Sequence, residues 1–509
     1  MKFNHITKSI FALFLLLNLY PNTADSKKLI TVSNLEDVSL DAIGLDSKLG
    51  NDIWKNTSYD FFYNNLKNIK TNSDNKYYNQ IAKDILVAGS IPPKGEFKKG
   101  EIIELRLNKL MKLGYFSEVK NIISQINDVY KTEAIRDIEA KAILSLDGPL
   151  KACKYLDRND LTNLQAQKIR IVCNIYDNEE DKAKLGLSLM MEEKNPKDDF
   201  ITIATSLLEN KSLEDDIKIN NIETVFLASK KHDNDFILEH SSEDNYIYLI
   251  LSNFENRDKL QQLPILVKSY NKGLIKSGKI ETLYKEIALK KKDKESYFDF
   301  ANRVENNNLK VIAFYKDAKD SDDLKNRIRL ANLALNTSKN EESYNVNAKI
   351  FSKFIENQNP NINLKNDIEN IVELLIAAEK YNYAKLWFDF GLVNDKENIK
   401  AIHSNIIAIT SNQEKYINSD NLNNAHILSS FGLYANEFNS SEEKIENIDV
   451  NKIFSLQHAV KDKDYGKALL LSLDMIASDS IFLNYQGIKA LNNIDYKNQA
   501  RDIAISKLK

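Results

Sequence analysis

The sequence predicts an all-α protein, a tetratricopeptide-like helical-hairpin solenoid with an irregular N-terminal capping segment. Three observations predict this fold. Apolar residues recur at helical spacing along most of the chain, and a turn pattern returns at intervals near 33 residues. Glycine and proline are scarce, at 14 and 7 of 509 residues, whereas sheet proteins need many such turn residues.

The first residues have the three-part layout of a secretory signal peptide. Lys2 and Lys8 give a weakly basic start, an apolar run covers residues 10–20, and Pro21 precedes a small residue at Ala24. We predict a signal peptide at 1–24 and export to the periplasm of a Gram-negative bacterium, with no integral membrane span after cleavage. The alternative is an uncleaved anchor, although the run is shorter than the roughly 20 residues of a membrane span.

The net charge of the chain limits the classes of macromolecule that it can bind. The formal net charge is −3, and removal of Lys2 and Lys8 with the signal segment makes it −5. A chain without a basic field does not gather nucleic acid or anionic lipid. We therefore expect no nucleic-acid partner.

Residues 25–90 are predicted to hold a capping segment and the first helices. The capping segment is rich in apolar side chains, namely Leu40, Ile43, Leu45, Leu49, Ile53 and Trp54. Gly44 and Gly50 argue against one continuous helix through it. We expect the segment to lie along the first helical pairs and to bury their exposed end, because terminal repeats need such caps. The alternative is a partner-docking motif that is free until bound.

Residues 91–509 are predicted to form the helical array, which begins after the break Ile91-Pro92-Pro93-Lys94-Gly95. Two stretches illustrate its amphipathic periodicity. Their apolar faces are Val119, Ile122, Ile123, Ile126 and Val129 in the first, and Ile368, Ile371, Val372, Leu375 and Ala378 in the second. The repeat signal weakens over 195–310, which leaves open whether there is one solenoid or two.

The recurring turn pattern places an aromatic residue three positions before a small or branched one. The copies are Phe116 with Val119, Tyr381 with Ala384, Tyr465 with Ala468, the degenerate Pro149 with Ala152 and Glu180 with Ala183, and the stretched Tyr496 with Ala500. A small residue lets neighbouring helices approach closely, and the aromatic residue fills the space beside the turn. We also predict that Pro149 opens a helix and that Asp464 is an N-cap.

Cys153 and Cys173 are the only cysteines, and an exported chain enters an oxidising compartment. If Pro149 opens one helix and the next ends near Tyr176, the two cysteines lie near the same end of adjacent antiparallel helices. We predict a disulfide between them, with two buried free thiols as the alternative.

No catalytic, cofactor-binding or metal site is predicted. The six histidines are interpreted as structural or surface residues, because none stands in a metal-ligand motif: His5, His232, His240, His403, His426 and His458. No glycine-rich phosphate loop or nucleophile elbow occurs. Soluble lytic transglycosylases place a Gly-Leu-Met-Gln segment after a catalytic Glu-Ser, but Glu295-Ser296 is followed by Tyr297-Phe298.

Several short motifs carry a family resemblance up to about residue 190. They are Val38-Ser39-Leu40, Ile43-Gly44-Leu45, Leu49-Gly50, Ile53-Trp54, Thr57-Ser58, Ala88-Gly89-Ser90-Ile91-Pro92-Pro93, Leu105-Arg106, Leu113-Gly114, Ala152-Cys153, Cys173 and Leu185-Gly186-Leu187. In these the chain resembles a family of uncharacterised exported alphaproteobacterial proteins, some labelled antifreeze-glycopeptide-like. The resemblance implies a helical repeat array and no established activity.

From the sequence we favour a non-enzymatic cell-envelope scaffold or protein/peptide-binding protein, because solenoids present a concave surface to such partners. The alternative is a peptidoglycan-associated protein, related in architecture to the superhelix of soluble lytic transglycosylases but without their catalytic domain. The sequence leaves the oligomeric state open.

Overall fold

The computed structural model describes residues 39–45, 49–193, 198–213, 216–254, 257–394, 401–417, 425–433 and 449–508. These residues form 26 α-helices, short 3-10 turns and no strand. The predicted all-α class is confirmed. The predicted signal peptide at 1–24 lies outside the described residues.

The helices are numbered here in chain order. The first half comprises α1 (Tyr59–Asn68), α2 (Lys76–Val87), α3 (Glu101–Lys112), α4 (Phe116–Ile123), α5 (Glu133–Asp147), α6 (Pro149–Arg158), α7 (Leu164–Tyr176), α8 (Glu180–Glu193), α9 (Asp199–Leu208), α10 (Ile222–Ser229), α11 (Asn234–Glu239), α12 (Asn245–Ser252) and α13 (Lys259–Asn271). The second half comprises α14 (Ser277–Glu286), α15 (Tyr297–Arg303), α16 (Asn307–Asp320), α17 (Leu324–Ser338), α18 (Tyr344–Phe351), α19 (Ile368–Ala377), α20 (Tyr381–Asn394), α21 (Ala401–Ser411), α22 (Ala425–Ser429), α23 (Val450–Lys461), α24 (Tyr465–Ile476), α25 (Ile481–Asn493) and α26 (Lys497–Leu508).

Local sequence signals set many of the helix starts. Pro149 is the first residue of α6, where its missing N–H costs nothing. The Asp464 side chain accepts a hydrogen bond from the Lys467 N–H and caps α24. Both predictions are confirmed.

The recurring turn pattern marks six of the helix starts in the described residues. Its small or branched residues are all fully buried in the first turn or so of a helix: Val119, Ala152, Ala183, Ala384, Ala468 and Ala500. The aromatic positions Phe116, Tyr381 and Tyr496 are buried as well, but Tyr465 is 44% exposed. The small residue therefore holds its predicted place in every copy, and the aromatic residue does not.

The apolar face predicted from Val119 to Val129 was wrong at its last residue. Val119, Ile122, Ile123 and Ile126 are buried, but α4 ends at Ile123 and Val129 is 79% exposed. The reason is local, because the Asn127 side chain accepts a hydrogen bond from the Val129 N–H and starts a separate 3-10 turn. In the second stretch, the predicted face from Ile368 to Ala378 lies buried along α19 and its C-cap.

The two ends of the described chain pack together. Helix α1 contacts α24, and α2 contacts both α24 and α26. Helix α3 contacts α12 in the middle of the chain. A single hydrophobic core therefore runs from Leu40 to Leu508.

The predicted capping segment is packed rather than solvated. Leu40, Ile53 and Trp54 are buried, and the half-buried members, Ile43, Leu45 and Leu49, pack against the core. Leu45 pairs with the end of α2, since its N–H donates to the Val87 carbonyl at 2.7 Å. The Thr57 hydroxyl, just beyond the segment, donates to Asp464 Oδ1 at 2.7 Å. The segment thus lies between the first helices and the C-terminal ones.

The two cysteines occupy adjacent helices, α6 and α7. Their Sγ atoms are at bonding distance, 2.12 Å, and their Cα atoms are 6.3 Å apart. As the sequence argument requires, α6 begins at Pro149 and α7 ends at Tyr176. The cysteines are therefore placed to form the predicted bridge.

We expect protein purified without reductant from an oxidising compartment to show no free thiol on alkylation and mass spectrometry. Closing a loop of 20 residues should raise the free energy of unfolding by about 3 kcal/mol relative to Cys153→Ser/Cys173→Ser. Reduction of the wild type should lower its stability, and reductant should leave the double variant unchanged. Complete labelling of both thiols without reductant would disprove the bridge.

Across the described ranges, no helix combines the length and the apolar character that a membrane span requires.

Candidate functional site

A polar cavity of about 600 Å³ lies where the N-terminal helices meet the middle and the end of the chain. Its size falls within the roughly 300–1,000 Å³ of ligand pockets. The wall is formed by the loop before α2 and the start of α2, by α12 and α13, by α18, by the α19–α20 turn, and by α26. The charged lining residues are Asp74, Glu243, Glu342, Glu379 and Asp502, together with Lys76, Lys268, Lys272 and Lys507.

The start of α2 sets one side of the cavity. Asn75 caps this helix by accepting hydrogen bonds from the N–H groups of Tyr77 and Tyr78 at 2.9 and 3.1 Å. The cap places Lys76 and Tyr77 in the first turn, where both reach the α19–α20 turn. Lys76 forms an ion pair with Glu379, and the Tyr77 hydroxyl donates to Glu379 Oε1 at 2.7 Å.

Glu379 is held as a carboxylate. Burial would raise its pKa, but the charge of Lys76 and the hydrogen bonds from Lys76 and Tyr77 outweigh burial, so the pKa is lowered. Burial and the Glu379 charge together raise the pKa of Tyr77, which keeps its phenol protonated and donating. This side of the cavity therefore presents a fixed pair of opposite charges at neutral pH.

A buried cation lies at the end of α13. The Lys272 side chain is 4% exposed, and its Nζ lies 2.6 Å from Asp74 Oδ1. The same ammonium lies 4.7 Å from the centre of the Tyr248 ring. The carboxylate and the ring together offset the cost of burying the charge.

Two further charged residues on the cavity wall, Lys268 and Asp502, are less fully offset by neighbouring opposite charges. Lys268 is half-buried, and no ion pair within the described part of the chain engages it. Burial raises the pKa of the Asp502 carboxyl, although Arg501, whose Nε–H donates to Asp502 Oδ1 at 3.1 Å, opposes the rise. The cavity thus offers an ammonium and a carboxyl to an incoming polar ligand.

A separate cluster joins α19 to α21. Glu369 and Glu373 lie one turn apart on α19, and His403 lies on α21. One ligand atom from each lies within 4.8 Å of the others, which is close enough to hold a metal ion. From the sequence we interpreted each histidine as a structural or surface residue, because no spacing links His403 to α19. The only local signal was the i, i+4 pair of glutamates.

The residues predicted from the sequence lie elsewhere. Neither Cys153 nor Cys173 lines the cavity, and none of the predicted capping residues does. The cavity wall draws on segments from residue 72 to residue 507, so no local pattern marks it.

No protein-family model, curated protein or solved structure matches this chain. Function must therefore be argued from the site.

Proposed function

We propose that this chain is an exported, non-enzymatic protein of the cell envelope, a scaffold or binding protein that holds a peptide segment of its partner in the polar cavity. The observation that carries the proposal is the cavity itself. It is large enough for a ligand, and its wall combines ammonium groups, carboxylates, tyrosines and asparagine amides.

A peptide fits this wall better than other polymers do. A peptide offers backbone N–H and C=O groups along with side chains of both charges, and the wall has partners for each. Lys268 is available to a carboxylate, while the carboxyl of Asp502, which Arg501 bonds through Oδ1, can accept a further donor. Nucleic acid is a poor fit, because five acidic residues against four lysines would repel phosphates.

The proposal also covers how the helices are arranged. We take the helices to form a tetratricopeptide-like array, and the buried small residues at six helix starts support this. We also propose export and membership of the alphaproteobacterial family that the sequence resembles. Two cysteines at bonding distance fit an oxidising compartment.

The test compares binding by the wild type with three charge-reversal variants of the chain from residue 25. Lys268→Glu and Lys507→Glu change the cavity, and Lys461→Glu changes an exposed lysine elsewhere. Envelope proteins and peptides retained by each immobilised protein are quantified by mass spectrometry. We expect a common set retained by the wild type and Lys461→Glu, and at least tenfold less of it with either cavity variant.

Equal retention by all four proteins, or no retention by any, would contradict the cavity as the binding site. Sedimentation with purified cell-wall sacculi runs in parallel. Co-sedimentation that the cavity variants abolish, without any protein partner, would support the peptidoglycan-associated alternative instead. Thermal unfolding of each variant controls for loss of fold.

A further inference from the structure

The cluster of Glu369, Glu373 and His403 has the arrangement of a metal-binding triad. The two glutamates project from one face of α19, because residues four apart are neighbours on a helix. His403 approaches from α21, with its side chain only 7% exposed. The three side chains therefore converge on one largely buried point between two helices.

The imidazole of His403 faces the Glu369 carboxylate at ion-pair distance. His403 Nδ1 lies 3.0 Å from Glu369 Oε1, and among the described residues this ring nitrogen takes part in no hydrogen bond. Two atoms that share a tetrahedral Zn²⁺ at about 2.0–2.1 Å lie roughly 3.3 Å apart. The observed separation is within a few tenths of an ångström of that value. Glu373 offers a carboxylate oxygen within 4.8 Å of the other two ligand atoms.

A neighbouring tyrosine orients the third ligand. The Tyr344 hydroxyl donates a hydrogen bond to Glu373 Oε1 at 3.0 Å. Carboxylates that bind metals are commonly held by such outer hydrogen bonds.

We propose that Glu369, Glu373 and His403 bind one divalent transition-metal ion, and that the ion is Zn²⁺. Two carboxylates neutralise a dication, and a neutral imidazole adds a nitrogen ligand. Mg²⁺ and Ca²⁺ take oxygen ligands instead, so the imidazole selects against them. Three protein ligands leave a fourth position of a tetrahedral ion to water. The site is separate from the cavity lining and does not depend on the proposed function.

The test uses the chain from residue 25, stripped of metal with a chelator and titrated with Zn²⁺ by calorimetry. We expect one ion per chain and an upward shift of the unfolding temperature, because the ion binds only the folded state. His403→Ala and Glu369→Gln should each weaken the Zn²⁺ affinity at least tenfold. His458→Ala removes an exposed histidine as the matched control and should bind Zn²⁺ like the wild type.

Glu373→Gln keeps the size of the side chain and can still accept the Tyr344 hydrogen bond, so it tests the ligand charge if the histidine variant fails to fold. Absence of saturable Zn²⁺ binding would overturn the proposal, as would binding that all three ligand variants retain. Saturable Mn²⁺ binding without Zn²⁺ binding would overturn the choice of ion.

Discussion

Asp41→Ala is expected to lower the free energy of unfolding by about 3–5 kcal/mol, because it leaves three buried N–H donors without their acceptor and each such loss costs about 1–3 kcal/mol. Asp41 is 1% exposed and lies in the predicted capping segment, next to Leu40. One of its carboxylate oxygens accepts hydrogen bonds from the N–H groups of Ile102 and Ile103 at 2.9 and 3.0 Å. The other oxygen accepts from the Gly100 N–H at 2.9 Å.

The carboxylate therefore caps α3 from another part of the chain. Gly100, the N-cap residue, has a φ of 91° and no side chain that could cap the helix. The first N–H groups of α3 lack partners within the helix, and a negative charge there also interacts favourably with the helix dipole. Removing Asp41 leaves three buried donors without an acceptor.

Arg106 makes the loss larger. It is 3% exposed on α3, and it donates to the carbonyl groups of Leu86, Ala88, Asp41 and Ile43. Burial lowers the pKa of Arg106 to about 10, although the charge of Asp41 opposes the decrease. Without Asp41 the guanidinium stays buried with no carboxylate to offset its charge.

Chemical denaturation of the wild type and three variants measures the effect. Asp41→Asn retains one oxygen acceptor and should lose less stability than Asp41→Ala. Asp181→Ala removes an exposed acid from the first turn of α8 and should change stability by no more than about 0.5 kcal/mol. Equal losses in Asp41→Ala and Asp181→Ala would contradict the capping role of Asp41.

Sequence patterns predicted those features of the fold that depend on interactions between residues close together in the chain. Pro149 and Asp464 act on the backbone within a few residues, so their effects are visible in the sequence. The face from Ile368 to Ala378 is visible for the same reason, since helical periodicity follows from burial on one side. The exception, Val129, shows how one asparagine side chain can end such a pattern.

The candidate sites could not be predicted because their residues meet only in three dimensions. Asp41 and the N–H group of Ile103 are 62 positions apart, and Tyr77 and Glu379 are 302 apart. No spacing rule connects such residues. The apolar content of the capping segment did predict that it packs against other residues, but it did not predict that the C-terminal helices would be among them.

Trp54→Ala is expected to lower the free energy of unfolding by about 3–5 kcal/mol, the usual cost of truncating a buried large aromatic residue. Trp54 is 2% exposed, and its ring centre lies 4.7 Å from that of Phe62. Its Nε1–H donates to Ser90 Oγ at 2.8 Å, and alanine would leave this buried hydroxyl without its donor.

Trp54 also contacts α24, so its removal should weaken packing between residues that are far apart in the sequence. A Cβ atom placed on Gly466 would lie 2.4 Å from Trp54 Cε3 and 2.6 Å from the Ile53 carbonyl oxygen. Gly466→Ala should therefore push the segment away from α24 and destabilise the protein by about 1–3 kcal/mol. Gly278→Ala is the matched control, because nothing lies within 4 Å of a Cβ there and alanine favours the helix.

The two variants should be coupled if Trp54 joins the ends of the chain. In a double-mutant cycle, the penalty of Gly466→Ala should shrink in the Trp54→Ala background, because the ring that it displaces is gone. Limited proteolysis provides the second readout, with Trp54→Ala increasing cleavage both in the capping segment and within residues 449–508. Rapid cleavage between Leu40 and Trp54 in the wild type, with the rest intact and equally stable, would instead favour a docking motif that is free until bound.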